Sequence, residues 1–223
     1  MRKAILHLKR SDPILRAIIE RVGPYRMQFR EPTFHSLARA IVYQQLNGRA
    51  ALTIFNRFAA LAGDPLTPEG ILKLTPEQMR SAGLSKQKSS YLFDMAERAH
   101  RGELDFSSVS AMSDDEVIEH LTQVKGVGVW TAHMFLMFTL QRPDILPTGD
   151  FGIRMAMFKH YLDKRAAKNG SAKSAKKSAR KLKPRKITLP TPAQMERIAK
   201  SWEPYRSVAC WYLWRSLDTK TIG

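Results

Sequence analysis

The sequence has a single cysteine, Cys210, in 223 residues, so it holds no internal disulfide and no cysteine-rich zinc or iron–sulfur cluster. No apolar run approaches the roughly 20 residues that a membrane-spanning helix needs. MFLMF at 134–138 reads as a buried stretch of helix. The opening MRKAILHLKRSDP offers only a short apolar segment interrupted by His7 and fails as a secretory signal. Six histidines (His7, His35, His100, His120, His133 and His160) lack the paired spacing of a catalytic metal site. Neither GRA at 48–50 nor GVG at 126–128 has the pattern of a phosphate-binding P-loop, so nothing argues for nucleotide hydrolysis. Alternating, strand-like segments are missing as well. These absences lead to an intracellular all-α protein with no cofactor and no metal held by side chains. Cys210, inside SVACWYLW, reads as a buried structural thiol.

Acidic residues are scarce: 20 Asp and Glu stand against 37 Lys and Arg, for a net charge of +17. Such a balance points to a polyanionic partner, nucleic acid ahead of an anionic membrane surface. Residues 164–186, KRAAKNGSAKSAKKSARKLKPRK, carry 11 of the basic residues and no acidic one, and removing those 11 from +17 leaves +6 for the rest. This stretch has almost no large apolar residue and reads as a flexible basic insertion. Its Ala and Lys content also suits an arm that orders on phosphates, and both readings stand.

What the chain does contain is a clear set of helix starts. TPEQ at 75–78 and TPAQ at 191–194 place Thr at the cap, Pro next and Gln three residues on; SDDE at 113–116 is a capping box with acids in its first turn. TPEG at 67–70 is a weaker version. Between the starts, apolar residues recur at helical spacing: Leu37, Ala40 and Ile41, then Leu52, Phe55 and Phe58, and later Val117, Ile118, Leu121 and Val124. About ten helices joined by short loops are expected.

Two stretches carry chemistry, VKGVGVWTA at 124–132 and LPTGDFGIR at 146–154. Residues 114–141 read as a helix, a four-residue hairpin of Lys125, Gly126, Val127 and Gly128, and a second helix opening at Val129. The glycines permit turn geometry and close approach of a partner. The second helix then presents free N–H groups and the positive end of its dipole, a seat for phosphate to which Lys125 adds charge. Such a device grips DNA backbone without reading sequence. Alone, however, Gly-x-Gly is equally an ordinary corner between helices. Asp150 lies 20 positions after Trp130, in a Pro-Thr-Gly turn ahead of FGIRMAMFKHYL. An isolated Asp there is by default a helix N-cap.

Taken together, the hairpin, the spacing and the aspartate resemble the helix-hairpin-helix DNA glycosylases with a Gly/Pro-rich loop and an aspartate, the HhH-GPD superfamily, and within it the 3-methyladenine DNA glycosylase II branch. IVYQQLNGRAALTIFNRF at 41–58, AGLSKQKSSYLFDMA at 82–96 and WEPYRSVACWYLWR at 202–215 extend the resemblance over most of the chain. It implies an all-α unit over 1–223 with two helical lobes, 33–140 and 1–32 plus 141–223, and an active-site cleft between them. The early β-rich domain of larger bacterial members is expected to be lacking. The implied activity is excision of alkylated purines, 3-methyladenine chiefly and 7-methylguanine with it, from duplex DNA by a monomer.

The resemblance also assigns residues. Asp150 becomes the catalytic carboxylate, set against the positive charge that builds on deoxyribose as the glycosidic bond breaks. Members that also cut the strand carry a lysine where this chain has Trp130, so a monofunctional enzyme leaving an abasic site is implied. Trp130, Phe151, Trp202 and Tyr205 would wall the base pocket, where an aromatic face suits a cationic alkylpurine. Leu46 would fill the gap left by the extruded base, with Gln45 and Asn47 inspecting the minor groove. Lys125, Gly126, Val127, Gly128 and Thr131 would hold the DNA backbone, and carbonyls at Val124 and Val127 a monovalent cation. Two other readings stay open, a glycosylase for deaminated or oxidised bases and a non-catalytic DNA-binding module.

Overall fold

The computed structural model describes residues 1–46, 48–163 and 187–217. Asn47 and the basic segment 164–186 lie outside the described residues. Among these residues the structure is helical without strands: α1 (Arg2–Ser11), α2 (Pro13–Val22), α3 (Phe34–Tyr43), α4 (Gly48–Ala62), α5 (Pro68–Leu72), α6 (Pro76–Ser81), α7 (Lys86–His100), α8 (Asp114–Thr122), α9 (Val129–Phe138), α10 (Phe151–Met157), α11 (Pro192–Ala199) and α12 (Arg206–Leu217). Short 3-10 turns at Val109–Ala111 and Lys200–Trp202 and a π turn at Phe158–Leu162 complete it. The chain divides into two compact units, Met1–Met27 with Pro143–Gly223, and Gln28–Arg142. The expected boundaries after residues 32 and 140 therefore shift to 27 and 142.

Unit 28–142 is organised on α7, which packs against α3, α5 and α6. Leu92, Met95 and Ala96 of α7 are buried with Leu37 and Ile41 of α3, Phe58 of α4, Ile71 of α5 and Met79 of α6. Each such aliphatic or aromatic side chain contributes about 1.5–3 kcal/mol when fully buried. The expected caps form. Thr75 and Ser113 close capping boxes with Gln78 and Glu116, and Thr67 accepts from the Gly70 N–H. Leu52 corrects the expected core, because it is 45% exposed on the outer side of α4. The helix α8 also stops at Thr122, so the link to α9 runs from Gln123 to Gly128 and is longer than a four-residue hairpin.

In the other unit, α12 is apolar on nearly every side and packs on α2 and α10. Val208, Ala209, Cys210, Trp211, Tyr212 and Leu213 are buried in succession, the pattern of a central helix. Asp12 ties the early helices to the late ones. Its Oδ1 caps α2 by accepting from the N–H groups of Ile14 (2.8 Å) and Leu15 (2.9 Å). Its Oδ2 accepts from the Tyr161 hydroxyl and the Trp202 indole, each at 2.8 Å. A buried carboxylate is tolerated when its acceptor sites are filled in this way. Burial, with Asp12 beside it, pushes the Tyr161 hydroxyl far above the usual phenol range.

Candidate functional site

Asp150 is the N-cap of α10. Its Oδ1 accepts from the Ile153 N–H at 2.7 Å and from the Trp214 indole N–H at 2.8 Å, and the residue is only 8% exposed. Cap and second donor converge on one oxygen, which fixes the carboxylate's rotation as well as its place. Gly152 makes this possible. A Cβ there would stand 2.9 Å from Trp214 Cδ1 and 3.1 Å from its Nε1, so a larger residue would push the indole away.

The loop leading to Asp150 is clamped to the start of α12. Arg206 donates to Asp144 from Nε and Nη2 at 2.8 Å each, and the Ile145 N–H donates to the Ser207 hydroxyl at 2.9 Å. The Ser207 N–H in turn donates to the Pro143 carbonyl. A forked guanidinium–carboxylate pair holds direction as well as distance, which a lysine would not. Beneath the loop lies Cys210, fully buried; burial first, and Asp150 second, push its thiol far up, so it stays protonated and inert.

The hairpin in the other unit is set by α7. Gly126 has φ +79, and a Cβ on it would overlap the Tyr91 ring, so glycine is required twice over. The Lys125 N–H donates to Asp94 Oδ2 at 2.8 Å, and Arg98 holds the same oxygen at 3.2 Å. Gly128 differs. Its φ of −100 suits any residue, and nothing of the protein lies within 4 Å of a Cβ built there. The next two residues are exposed, Val129 being 52% and Trp130 43% accessible at the start of α9. Two adjacent large apolar side chains are thus accessible at the start of α9.

Beside the hairpin, α3 ends in the loop carrying Gln45 and Leu46. Gln45 adopts φ 57, the left-handed region that non-glycine residues seldom occupy, and Leu46 is 38% exposed. The Gln44 amide reaches the hairpin, donating to the Gly126 carbonyl at 3.0 Å and the Thr131 hydroxyl at 3.3 Å.

Trp202 and the Thr131 side chain need correction, and the other expected residues are placed with them. Trp202 is fully buried, its indole N–H spent on Asp12, so it is a core residue and not a pocket wall. Tyr205 is half-buried and lies edge-on to His7 at 5.5 Å. Thr131 and Val127 are buried, which leaves only their backbone for a phosphate; the Thr131 hydroxyl serves Gln44 instead. Phe151, next to Asp150, is 66% exposed. Asn47 lies outside the described residues. Trp214 is the residue sequence reasoning passed over. Its signal was the spacing Ser207, Cys210, Trp211, Trp214 along one side of α12.

A helical protein with an aspartate-capped helix behind a Pro/Gly loop, and a glycine hairpin on α9, is the class these features define. Comparison with known sequences makes it specific. Residues 38–185 match the family described as HhH-GPD superfamily base excision DNA repair protein. The chain is 33% identical over 222 residues to DNA-3-methyladenine glycosylase 1 of Schizosaccharomyces pombe, covering 96% of this chain and 86% of that one. Among solved structures it is similar to the S. pombe 3-methyladenine DNA glycosylase in complex with abasic DNA, with a TM-score of 0.75, 33% identity and 95% of each chain covered. It is likewise similar to a DNA-3-methyladenine glycosidase of Bacillus halodurans, with a TM-score of 0.74 and 32% identity, covering 97% of this chain and 89% of that one. The chain belongs to the HhH-GPD superfamily of base excision DNA repair proteins.

Proposed function

We propose that this chain is a monofunctional DNA glycosylase that releases alkylated purines, 3-methyladenine chiefly and 7-methylguanine with it, and leaves an abasic site. The observation that carries the reading is the Asp150 carboxylate, held on one oxygen by Ile153 and Trp214 at 2.7 and 2.8 Å. Relatives at this level of identity are named 3-methyladenine glycosylases, which supports the substrate class.

As the glycosidic bond breaks, positive charge builds at the anomeric carbon and ring oxygen of deoxyribose. A preoriented carboxylate stabilises that charge and lines up water for attack on the same carbon. The alkylated purine is already cationic and departs with its bonding pair, so a strong general acid is not required. Trp130 offers an exposed aromatic face to an electron-poor base. It also stands where an amine would be needed for strand scission, so the product remains an intact strand with an abasic site. Duplex DNA is the partner, gripped through the N–H groups around Gly128 and the Lys125 charge by a monomeric enzyme. Carbonyls of Val124 and Val127 would hold a monovalent cation there.

The test uses end-labelled duplexes with one 3-methyladenine analogue, one hypoxanthine or one 8-oxoguanine, with and without alkali after incubation. Alkali-dependent cleavage confined to the alkylated duplex and lost in Asp150→Asn is the expected result. Cleavage without alkali would refute the role drawn from Trp130. Binding with no base release from any duplex would leave a non-catalytic DNA-binding module.

A further inference from the structure

Two side chains given no role by the sequence, Gln44 and Lys88, hold the Gln45–Leu46 loop from different directions. Lys88, in the first turn of α7, reaches the C-terminal end of α3 and donates from Nζ to the Val42 carbonyl at 2.6 Å and the Gln44 carbonyl at 2.8 Å. The last carbonyls of a helix have no partner further along it and sit at the negative end of its dipole, so an ammonium there is favoured twice. Burial pulls the Lys88 ammonium below the ordinary lysine range, a cost the two carbonyls offset. The Gln44 side chain runs to the hairpin and donates to the Gly126 carbonyl and the Thr131 hydroxyl.

Next in the chain, Gln45 takes its left-handed φ of 57 and Leu46 projects outward. A backbone in that region persists only where its surroundings over-determine it, and Lys88 and Gln44 supply that constraint. The same α7 also carries Tyr91 and Asp94, which set Gly126 and Lys125. Loop and hairpin are thus registered to each other through one helix and one bridging glutamine, all within unit 28–142.

We propose that Gln44 and Lys88 are positioning residues for base extrusion, holding Leu46 in its projecting conformation in register with the hairpin before DNA arrives. A wedge ordered in advance spares the complex the cost of ordering it on binding. The inference rests on the reading of this chain as a base-extruding glycosylase.

Single-turnover base release by the full chain tests it, on two duplexes carrying the same alkylated purine. In one the lesion is paired; in the other it faces an abasic-site analogue, so that extrusion costs little. Lys88→Met and Gln44→Ala are expected to slow release from the paired duplex about tenfold or more, and from the unpaired lesion about twofold or less. Lys88→Arg, which keeps two donors for the carbonyls, should recover most of the paired rate. Gln44→Glu, the same size but unable to donate to the Gly126 carbonyl, should behave as Gln44→Ala. Equal losses on both duplexes, with or without a lowered melting temperature, would assign these residues to general stability and overturn the proposal. So would rates within about twofold of wild type on both. Wild type releasing no base from either duplex would instead remove the functional reading on which the proposal rests.

Discussion

Replacing Trp214 by Phe separates the holding of Asp150 from its presence. The indole N–H donates to the carboxylate at 2.8 Å, and a hydrogen bond to a charged acceptor contributes about 1.5–3 kcal/mol. The Ile153 N–H, 2.7 Å from the same oxygen, remains in the variant, so α10 keeps its cap and the fold is retained. The phenyl ring still fills the space against Gly152. The loss therefore falls on the carboxylate's orientation, and at 1.36 kcal/mol per factor of ten the rate of base release should drop by about 10- to 100-fold. Single-turnover excision on the alkylated duplex measures it, with duplex affinity expected to stay near wild type and melting temperature to fall by about 2–4 °C for each kcal/mol of the bond lost. Gly152→Ala, whose Cβ would stand 2.9 Å from the indole and 3.1 Å from Asp150 Oδ1, should give a defect at least as large, because it crowds both partners. In an Asp150→Asn background neither change should lower the rate further, since coupled groups are not additive. Excision by Trp214→Phe within about twofold of wild type would refute the claim that the indole orients the catalytic carboxylate.

The hairpin glycines and His160 carry two further expected outcomes. Gly126→Ala should destabilise the protein by about 2 kcal/mol or more, because its Cβ overlaps Tyr91 at a positive φ; Gly128→Ala should cost under about 1 kcal/mol yet weaken duplex binding, and urea unfolding beside a fluorescence-anisotropy titration separates them. Burial first, then Arg21 and Lys159, push the His160 ring from 6.5 down to about 4. The unfolded chain therefore takes up this proton at higher pH than the folded one. The stability contribution is complete above pH 6.5 and is lost as pH falls toward 4. Discounted for solvent screening of a half-exposed ring, the loss is about 1 kcal/mol. His160→Gln should lose about that much less than wild type between pH 7 and pH 4.5 in urea midpoints, and equal losses would rule the histidine out.

Features that depend on near neighbours in the chain are legible in the sequence alone. The capping boxes at Thr75, Ser113 and Thr191 form because cap and partner are three residues apart, a distance the sequence displays directly. Asp150 as a cap is the same case. Trp202 and Trp214 show where that legibility stops. Both lie in one aromatic segment, and nothing local tells which meets Asp12, 190 residues from Trp202, and which meets Asp150, 64 residues from Trp214. Lys88 is silent for the same reason, since its acceptors sit on another helix, 46 and 44 residues back.

The two hairpin glycines carry this furthest, because in sequence they are indistinguishable. The fold itself accounts for Gly126, through its positive φ and the Tyr91 ring. It asks less of Gly128, the N-cap of α9, where glycine is favoured but the backbone suits any residue and the missing side chain faces open space. Gly128 opens α9, whose first N–H groups and dipole favour phosphate. Asp150 divides in the same manner. Capping α10 needs one carboxylate acceptor and the Ile153 N–H; it does not need the Trp214 indole or the small residue at 152 that admits it. Those two additions fix the carboxylate's rotation, which the proposed charge-stabilising role needs more than a cap does.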